Sequence, residues 1–236
     1  MTAWLTLSVV LIAVLASAQI AHPAAATSSA ALLVLPRPGV PISMEQIEER
    51  SRKLEDGTAS AEIIKSKVYR DLAGRVRIEE EIRDGSGRSS TRYDELIDPI
   101  AGSRVVLLTT QKVGYRLPFP KSDQSRFAFL GIGGSSQDSS HKWGDARTEV
   151  VGKRTIQGVE FEGTRIIRTA EGKPGLTDTN EQWYSDELKL IGLLTSSGPS
   201  GAYSARIQSL QPGEPDPAFF TIPAEYKIID LPLPQK

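Results

Sequence analysis

Residues 75–83 read Arg-Val-Arg-Ile-Glu-Glu-Glu-Ile-Arg, and this alternation constrains the fold more than any other feature of the chain. Val76, Ile78 and Ile82 fall on one side of a period-two pattern, with Arg75, Arg77, Glu79, Glu81 and Arg83 on the other. That is the signature of a strand with one buried and one solvated face. Such strands belong to antiparallel sheets, so the chain needs further strands joined by short returns. Strand-like segments are found at residues 61–69, 92–97, 104–109, 113–117, 146–151, 155–161, 164–169, 180–184, 188–194 and 203–210. Asp84-Gly85-Ser86-Gly87 and Asp98-Pro99-Ile100-Ala101-Gly102 are turn sequences, in which Pro presets φ and Gly accepts positive φ. The expected fold is mainly β, an antiparallel meander of about ten strands forming a curved sheet or half-barrel.

Two segments depart from that rhythm. Over residues 43–57, Ser43 reads as an N-cap, Gln46 as its capping-box partner, Ile42 and Ile47 as a staple, and Gly57 as a stop, which predicts one N-terminal helix. Only Met44, Ile47 and Leu54 give it apolar surface, so it is expected to lie on the sheet with most of its circumference in water. Residues 118–144 combine two prolines, Phe127-Ala128-Phe129-Leu130, Gly131-Ile132-Gly133-Gly134 and a Ser-rich run, and read as a long central insertion.

The N-terminus carries an apolar run over residues 4–16 followed by Ala16-Ser17-Ala18, a small-x-small pattern for signal-peptidase cleavage before Gln19. Ala24-Ala25-Ala26 offers a second cleavage site. The run is shorter than the roughly 20 residues a helix needs to cross a bilayer, and no later segment approaches that length. The expected organisation is a signal peptide at 1–18, a flexible Ala/Pro leader at 19–41 and a single β-rich domain at 42–236. The protein is therefore expected to be exported, periplasmic or extracellular, with no stable membrane span after cleavage. Within the leader, Leu32-Leu33-Val34-Leu35 is apolar enough to dock as an edge strand.

The chain has 236 residues and no cysteine, which excludes disulfides and thiol chemistry. Its length suffices for a core without such staples. With 28 basic and 29 acidic residues the net charge is -1, so no global field draws it to nucleic acid or anionic lipid.

Motifs for chemistry are sparse. His22 falls in the leader and His141 in the insertion, so no histidine pair forms a metal site. No G-x-S-x-G elbow occurs, and Gly131-Ile132-Gly133-Gly134 lacks the Lys-Ser/Thr of a phosphate loop. Asp84 to Glu95 fails as a calcium loop because Arg88 stands where an oxygen ligand is needed. Glu79-Glu80-Glu81 reads as a solvated charged face with cross-strand ion pairs. No enzyme activity, cofactor or metal is expected.

The closing residues 214–230, together with Val68-Tyr69-Arg70-Asp71, Gly74-Arg75-Val76-Arg77, Ile97-Asp98-Pro99, Gly158, Glu162-Gly163-Thr164-Arg165 and Glu181-Gln182-Trp183-Tyr184-Ser185, resemble a family of uncharacterised exported bacterial proteins. The resemblance runs over residues 54–230; it implies export and supplies no catalytic residues. The layout, a helix, a meander and a terminus with Phe220, Pro223 and Tyr226 at i, i+3 and i+6, is remotely similar to the periplasmic lipoprotein-carrier (LolA/LolB-like) fold. That likeness implies a curved sheet wrapped around helices with an apolar cleft.

If the sheet is curved, Val113, Tyr115, Leu117, Phe161, Trp183 and Leu190 are the residues expected to form a concave apolar wall that binds a ligand. The alternative is ordinary core packing by the same side chains. Two functions follow: a periplasmic binding or carrier module for a lipid-like or otherwise amphiphilic ligand, or a non-enzymatic structural or interaction module that meets another envelope protein.

Overall fold

The computed structural model describes residue 34 and residues 36–54, 56–84, 86–119 and 142–231. The described chain is built from β1 (Ile42–Lys53), β2 (Ala59–Arg70), β3 (Val76–Asp84), β4 (Ser89–Asp98), β5 (Ser103–Leu108), β6 (Val113–Pro118), β7 (Arg147–Ile156), β8 (Val159–Ala170), β9 (Lys173–Ser185), β10 (Leu190–Gly198), β11 (Gly201–Pro212) and β12 (Lys227–Asp230). They form one 12-stranded sheet in the order β12-β6-β5-β4-β3-β2-β1-β11-β10-β9-β8-β7. Two meanders, β1–β6 and β7–β11, are joined where β1 pairs with β11. Every pairing is antiparallel except that of β12, which lies parallel to β6. The sheet is open and curved, and bulges at Glu45/Gln46 and Ile191/Leu193 bend it.

The expected N-terminal helix is a strand. β1 pairs over its length with β2 on one side and with β11 on the other. Its Glu-, Gln- and Arg-rich composition suits a helix, but helix propensity amounts to tenths of a kcal/mol per residue. Two flanking strands outweigh it by satisfying the backbone on both sides, and the period of two is visible in the burial of Ile42, Met44, Gln46 and Glu48. Among the described residues the strand count is twelve rather than about ten, with the parallel β12 as an unforeseen addition. The three strands expected over residues 146–169 are two, because Gly152 is a bulge and Gly163 sits within β8. Only Gln157-Gly158 turns the chain there; both φ values are positive, 51° and 82°, as a tight two-residue hairpin turn requires.

The expectations for residues 1–33, residue 35 and residues 120–141, which include the signal peptide, most of the leader and most of the insertion, lie outside the described residues. At the end of the leader, Val34 is fully buried and makes an antiparallel bridge to Leu190. Among the described residues no helix is long and apolar enough to cross a membrane.

Register places Ile42, Arg70, Val76 and Ile97 in one row across β1–β4, and Met44, Val68, Ile78 and Glu95 in the next row on the same face. The apolar members of both rows belong to the main core cluster. Arg70 is fully buried beside them. Its guanidinium donates to the carbonyls of Val40 (2.7 Å), Leu188 (2.5 Å) and Lys189 (3.4 Å), tying β2 to the β9–β10 turn.

The opposite face of the first meander is crossed by residues 213–230. Gly213 N–H donates to the Pro41 carbonyl, a short 3-10 turn (Pro217–Phe220) stacks Phe219 on Tyr69 at 4.0 Å, and Ile222, Tyr226 and Ile228 pack on Leu96, Val105 and Leu107. This strap delivers β12 to the edge of the sheet beside β6.

Candidate functional site

The six residues expected to bind a ligand fall into two groups. Phe161, Trp183 and Leu190 are buried members of the main core cluster, together with Met44, Val68 and Ile78. Val113, Tyr115 and Leu117 lie half-buried along β6 and are not members of that cluster. They still share its face: Tyr115 opposes Val106, Val106 opposes Glu95, and Glu95 opposes Ile78.

Trp183 is fixed on all sides. Its Nε1 donates to Glu181 Oε1 at 2.7 Å, and Arg165 donates to the other oxygen of Glu181 from two nitrogens at 2.9 and 2.7 Å. The Arg154 guanidinium lies 4.5 Å from the centre of the indole. On β8, Gly163 opposes Trp183 and leaves room for the ring; a Cβ there would sit 2.9 Å from three ring carbons. Burial works to raise the Glu181 carboxyl, but the bonds from Trp183 and Arg165 and the nearby arginine charges outweigh it, so the group lies below its ordinary range.

The feature that sequence reading missed is a polar row directly beside the apolar ones. Gln46, Ser66, Glu80 and Tyr93 are register partners across β1–β4, one alternation beyond Met44, Val68, Ile78 and Glu95. Gln46, Glu48, Ser66, Glu80 and Glu95 are all buried, with Glu48 and Glu95 at 0% exposure. Glu80 therefore belongs inside, which corrects its assignment to a solvated face. Of its neighbours, Glu81 forms one expected cross-strand ion pair, with Arg92 on β4, while the pairs of Glu79 with Arg77 and of Glu81 with Arg83 lie within β3. The signal was present: positions 76, 78, 80 and 82 are one face by strict alternation, and the carboxylate of Glu80 occupies a core position in it.

These groups are hydrogen-bonded or ion-paired. Gln46 Nε2 donates to Glu48 Oε1 at 2.8 Å, Arg50 Nη2 reaches Glu48 Oε2 at 3.4 Å, Ser66 Oγ reaches Glu80 Oε1 at 3.5 Å, and Arg104 Nε donates to Glu95 Oε1. The Tyr93 hydroxyl bonds Glu80 and the Tyr203 hydroxyl bonds Glu48. Burial first, then the charge of Glu80, pushes the Tyr93 phenol well above its ordinary range; burial and Glu48 do the same to Tyr203. Tyr93 also feels Glu95 and Glu48, and Tyr203 feels Glu80. Among the described residues, no group of three or more His, Cys, Asp or Glu is arranged to hold a metal ion.

No protein-family model matches the chain. No curated protein matches it. Among solved structures, MucB in complex with MucA(peri) is similar to this chain with a TM-score of 0.39 at 14% identity, over 81% of this chain and 57% of MucB. The chain thus spans little more than half the length of MucB. A beta-barrel-like protein of a domain of unknown function from Brucella abortus gives a TM-score of 0.33 at 10% identity, over 77% of this chain and 100% of that one. A LolA superfamily protein from Nitrosomonas europaea gives 0.33 at 8% identity, over 84% and 99%. Likeness at this level concerns strand layout and transfers no site, ligand or partner.

Proposed function

We propose that the chain is an exported, non-enzymatic binding or carrier module of the cell envelope that takes an amphiphilic ligand along this face of its sheet, curved into a half-barrel. One observation carries the reading. Met44, Val68 and Ile78 make an apolar row, and the next row on the same face, Gln46, Ser66 and Glu80, is polar and equally buried. Burying carboxylates and amides costs several kcal/mol unless they are matched by partners, and Gln46 Oε1 is buried with no donor. An amphiphile has the same division, an apolar chain and a polar head. Val113, Tyr115 and Leu117, half-buried on the same face, extend the apolar side toward β12. The resemblance to exported proteins and the apolar run at residues 4–16 support an envelope location.

Native mass spectrometry of the purified full chain tests the proposal. A co-purified or added single-chain amphiphile bound at unit stoichiometry is the expected result, and its absence across cationic, anionic and neutral amphiphiles overturns it. A second reading, a protein-interaction module, is favoured by β7, which among the described residues pairs on one side only and exposes 88% of Val150. A photocrosslinker at Val150 that captures no protein in intact cells removes that reading.

A further inference from the structure

We propose that Val34, carried at the end of the proline-rich segment 36–41, is a cover held in cis over the ligand's apolar subsite, so that the free protein occupies its own site and ligand binding displaces the arm. The inference rests on the proposed ligand face and names how that face is regulated.

Val34 is fully buried and belongs to the main core cluster, both with Phe161, Trp183 and Leu190 and with Met44, Val68 and Ile78. It stands on none of the strands of the sheet, and an isolated bridge to Leu190 attaches it there. The segment behind it explains why that attachment is so slight. Pro36, Pro38 and Pro41 have no N–H, so on this side the bridge cannot grow into a ladder along β10. The arm then crosses the turn between β2 and β3. A Cβ on Gly74 would lie 2.7 Å from Pro38 N and 2.8 Å from the Arg37 carbonyl carbon, so the bare α-carbon of glycine lets the arm pass. Its base is a pivot, where Gly39, at φ 89°, donates to the Leu72 carbonyl at 2.9 Å and Arg70 Nε donates to the Val40 carbonyl at 2.7 Å. The arm is stiffened by proline, turns at Gly39 and is bonded more firmly at its base than at its tip.

A carrier that is empty for part of its cycle has an apolar face that must be covered in the interval, because an open apolar patch invites association. A residue tethered close to the sheet covers it at high effective concentration, without a second molecule. Such a cover must also yield. A single valine buries far less apolar area than a ten-carbon chain, and the area removed from water sets the gain, so an amphiphile seated in its place displaces Val34. The bonds at Gly39 and Val40 keep the released arm on the molecule. Met44, a residue of the same cluster that is fixed in the core, is held differently, by ladders on both sides of β1.

The chain has no cysteine, so Val34→Cys places a single thiol at the tip of the arm. Its reaction with a maleimide is followed in the full chain with and without decyl glucoside, decylammonium or decanoate, each below its micellar concentration. Ile78→Cys, equally buried but on β3, is the comparison, and calorimetry on the wild type and Val34→Ser reads binding. An amphiphile that binds is expected to speed labelling at position 34 by about tenfold or more and to leave position 78 protected. It is expected to bind Val34→Ser about tenfold or more tighter than the wild type, since the cover no longer competes; binding by Val34→Ser alone is the same result in its extreme form. Binding with labelling at position 34 unchanged or slowed, acceleration at both positions, or an affinity no higher in folded Val34→Ser overturns the arm inference and leaves the carrier reading intact. Binding of none of the three by either protein overturns both. The labelling comparison decides the matter if Val34→Ser fails to fold.

Discussion

Adding a single methyl group at Gly163 tests whether Trp183 is packed as described. A Cβ at that position would lie 2.9 Å from Cη2, Cζ2 and Cζ3 of the indole, where carbon atoms sit best at about 3.5–4.0 Å. The ring must move by roughly the difference, and it is not free to do so. Its Nε1 is held by Glu181 at 2.7 Å and its face by Arg154 at 4.5 Å. Overpacking of a core site costs about 1–3 kcal/mol, and weakening a hydrogen bond to a charged group adds part of a further 1.5–3 kcal/mol. Gly163→Ala is therefore expected to lose about 3 kcal/mol, which at roughly 2–4 °C per kcal/mol for a chain of this size is a fall in Tm of about 6–12 °C. Thermal melts followed by far-ultraviolet circular dichroism read the loss, and the near-ultraviolet band of the indole reads the displacement. Gly175→Ala is the control, since nothing lies within 4 Å of its Cβ position, and it is expected to change stability by less than about 0.5 kcal/mol. In a Trp183→Phe background the smaller ring makes room, so Gly163→Ala should cost under about 1 kcal/mol there. An unchanged Tm for Gly163→Ala, or the same loss in both backgrounds, refutes the packing argument.

Arg70→Met should destabilise by about 2–4 kcal/mol, because the carbonyls of Val40, Leu188 and Lys189 lose the guanidinium that joins them; a denaturant midpoint equal to that of the parent would show the tie to be idle. Burial and the neighbouring carboxylates raise the Tyr93 and Tyr203 phenols in the folded chain above their unfolded values. The stability they contribute is whole below about pH 10 and is lost as the pH climbs above it. Phenolate absorbance should accordingly show these two of the six tyrosines ionising only as the sheet unfolds, whereas reversible ionisation of all six at ordinary pH values with the fold intact refutes the assignment.

The strands were legible where one face is oily and the other charged, as in β3, where Val76, Ile78 and Ile82 alternate with ionised residues. Turn residues marked most of the returns. Two kinds of information were not local. β1 looks helical because a strand flanked on both sides needs no β-branched or aromatic residues of its own when its neighbours, Val68 on β2 and Ile207 on β11, supply the packing. The candidate site was hidden for a related reason. Glu48, Glu80 and Glu95 are charged residues that hydropathy assigns to solvent; alternation along β3 already puts Glu80 on the face of Val76 and Ile78, whereas only the pairing of β1–β4 shows that Glu48 and Glu95 share it. Trp183 was visible as a residue of interest, but its partners Arg154, Gly163 and Arg165 lie on β7 and β8 and become neighbours only through register.

The seam between the two meanders imposes an order of assembly. Glu49 on β1 meets Arg206 on β11 across 157 positions of chain, and closing so wide a loop costs on the order of 3 kcal/mol more than forming the β1–β2 hairpin. During synthesis the first meander can zip up through neighbouring strands while β1 still presents one bare margin. A bare margin of that kind invites other chains to add themselves to it. Glu45, Glu49 and Arg50, exposed in the finished sheet, make such additions unfavourable until β11 arrives. The charged character that disguises β1 as a helix thus serves as its guard against aggregation while the molecule is half made.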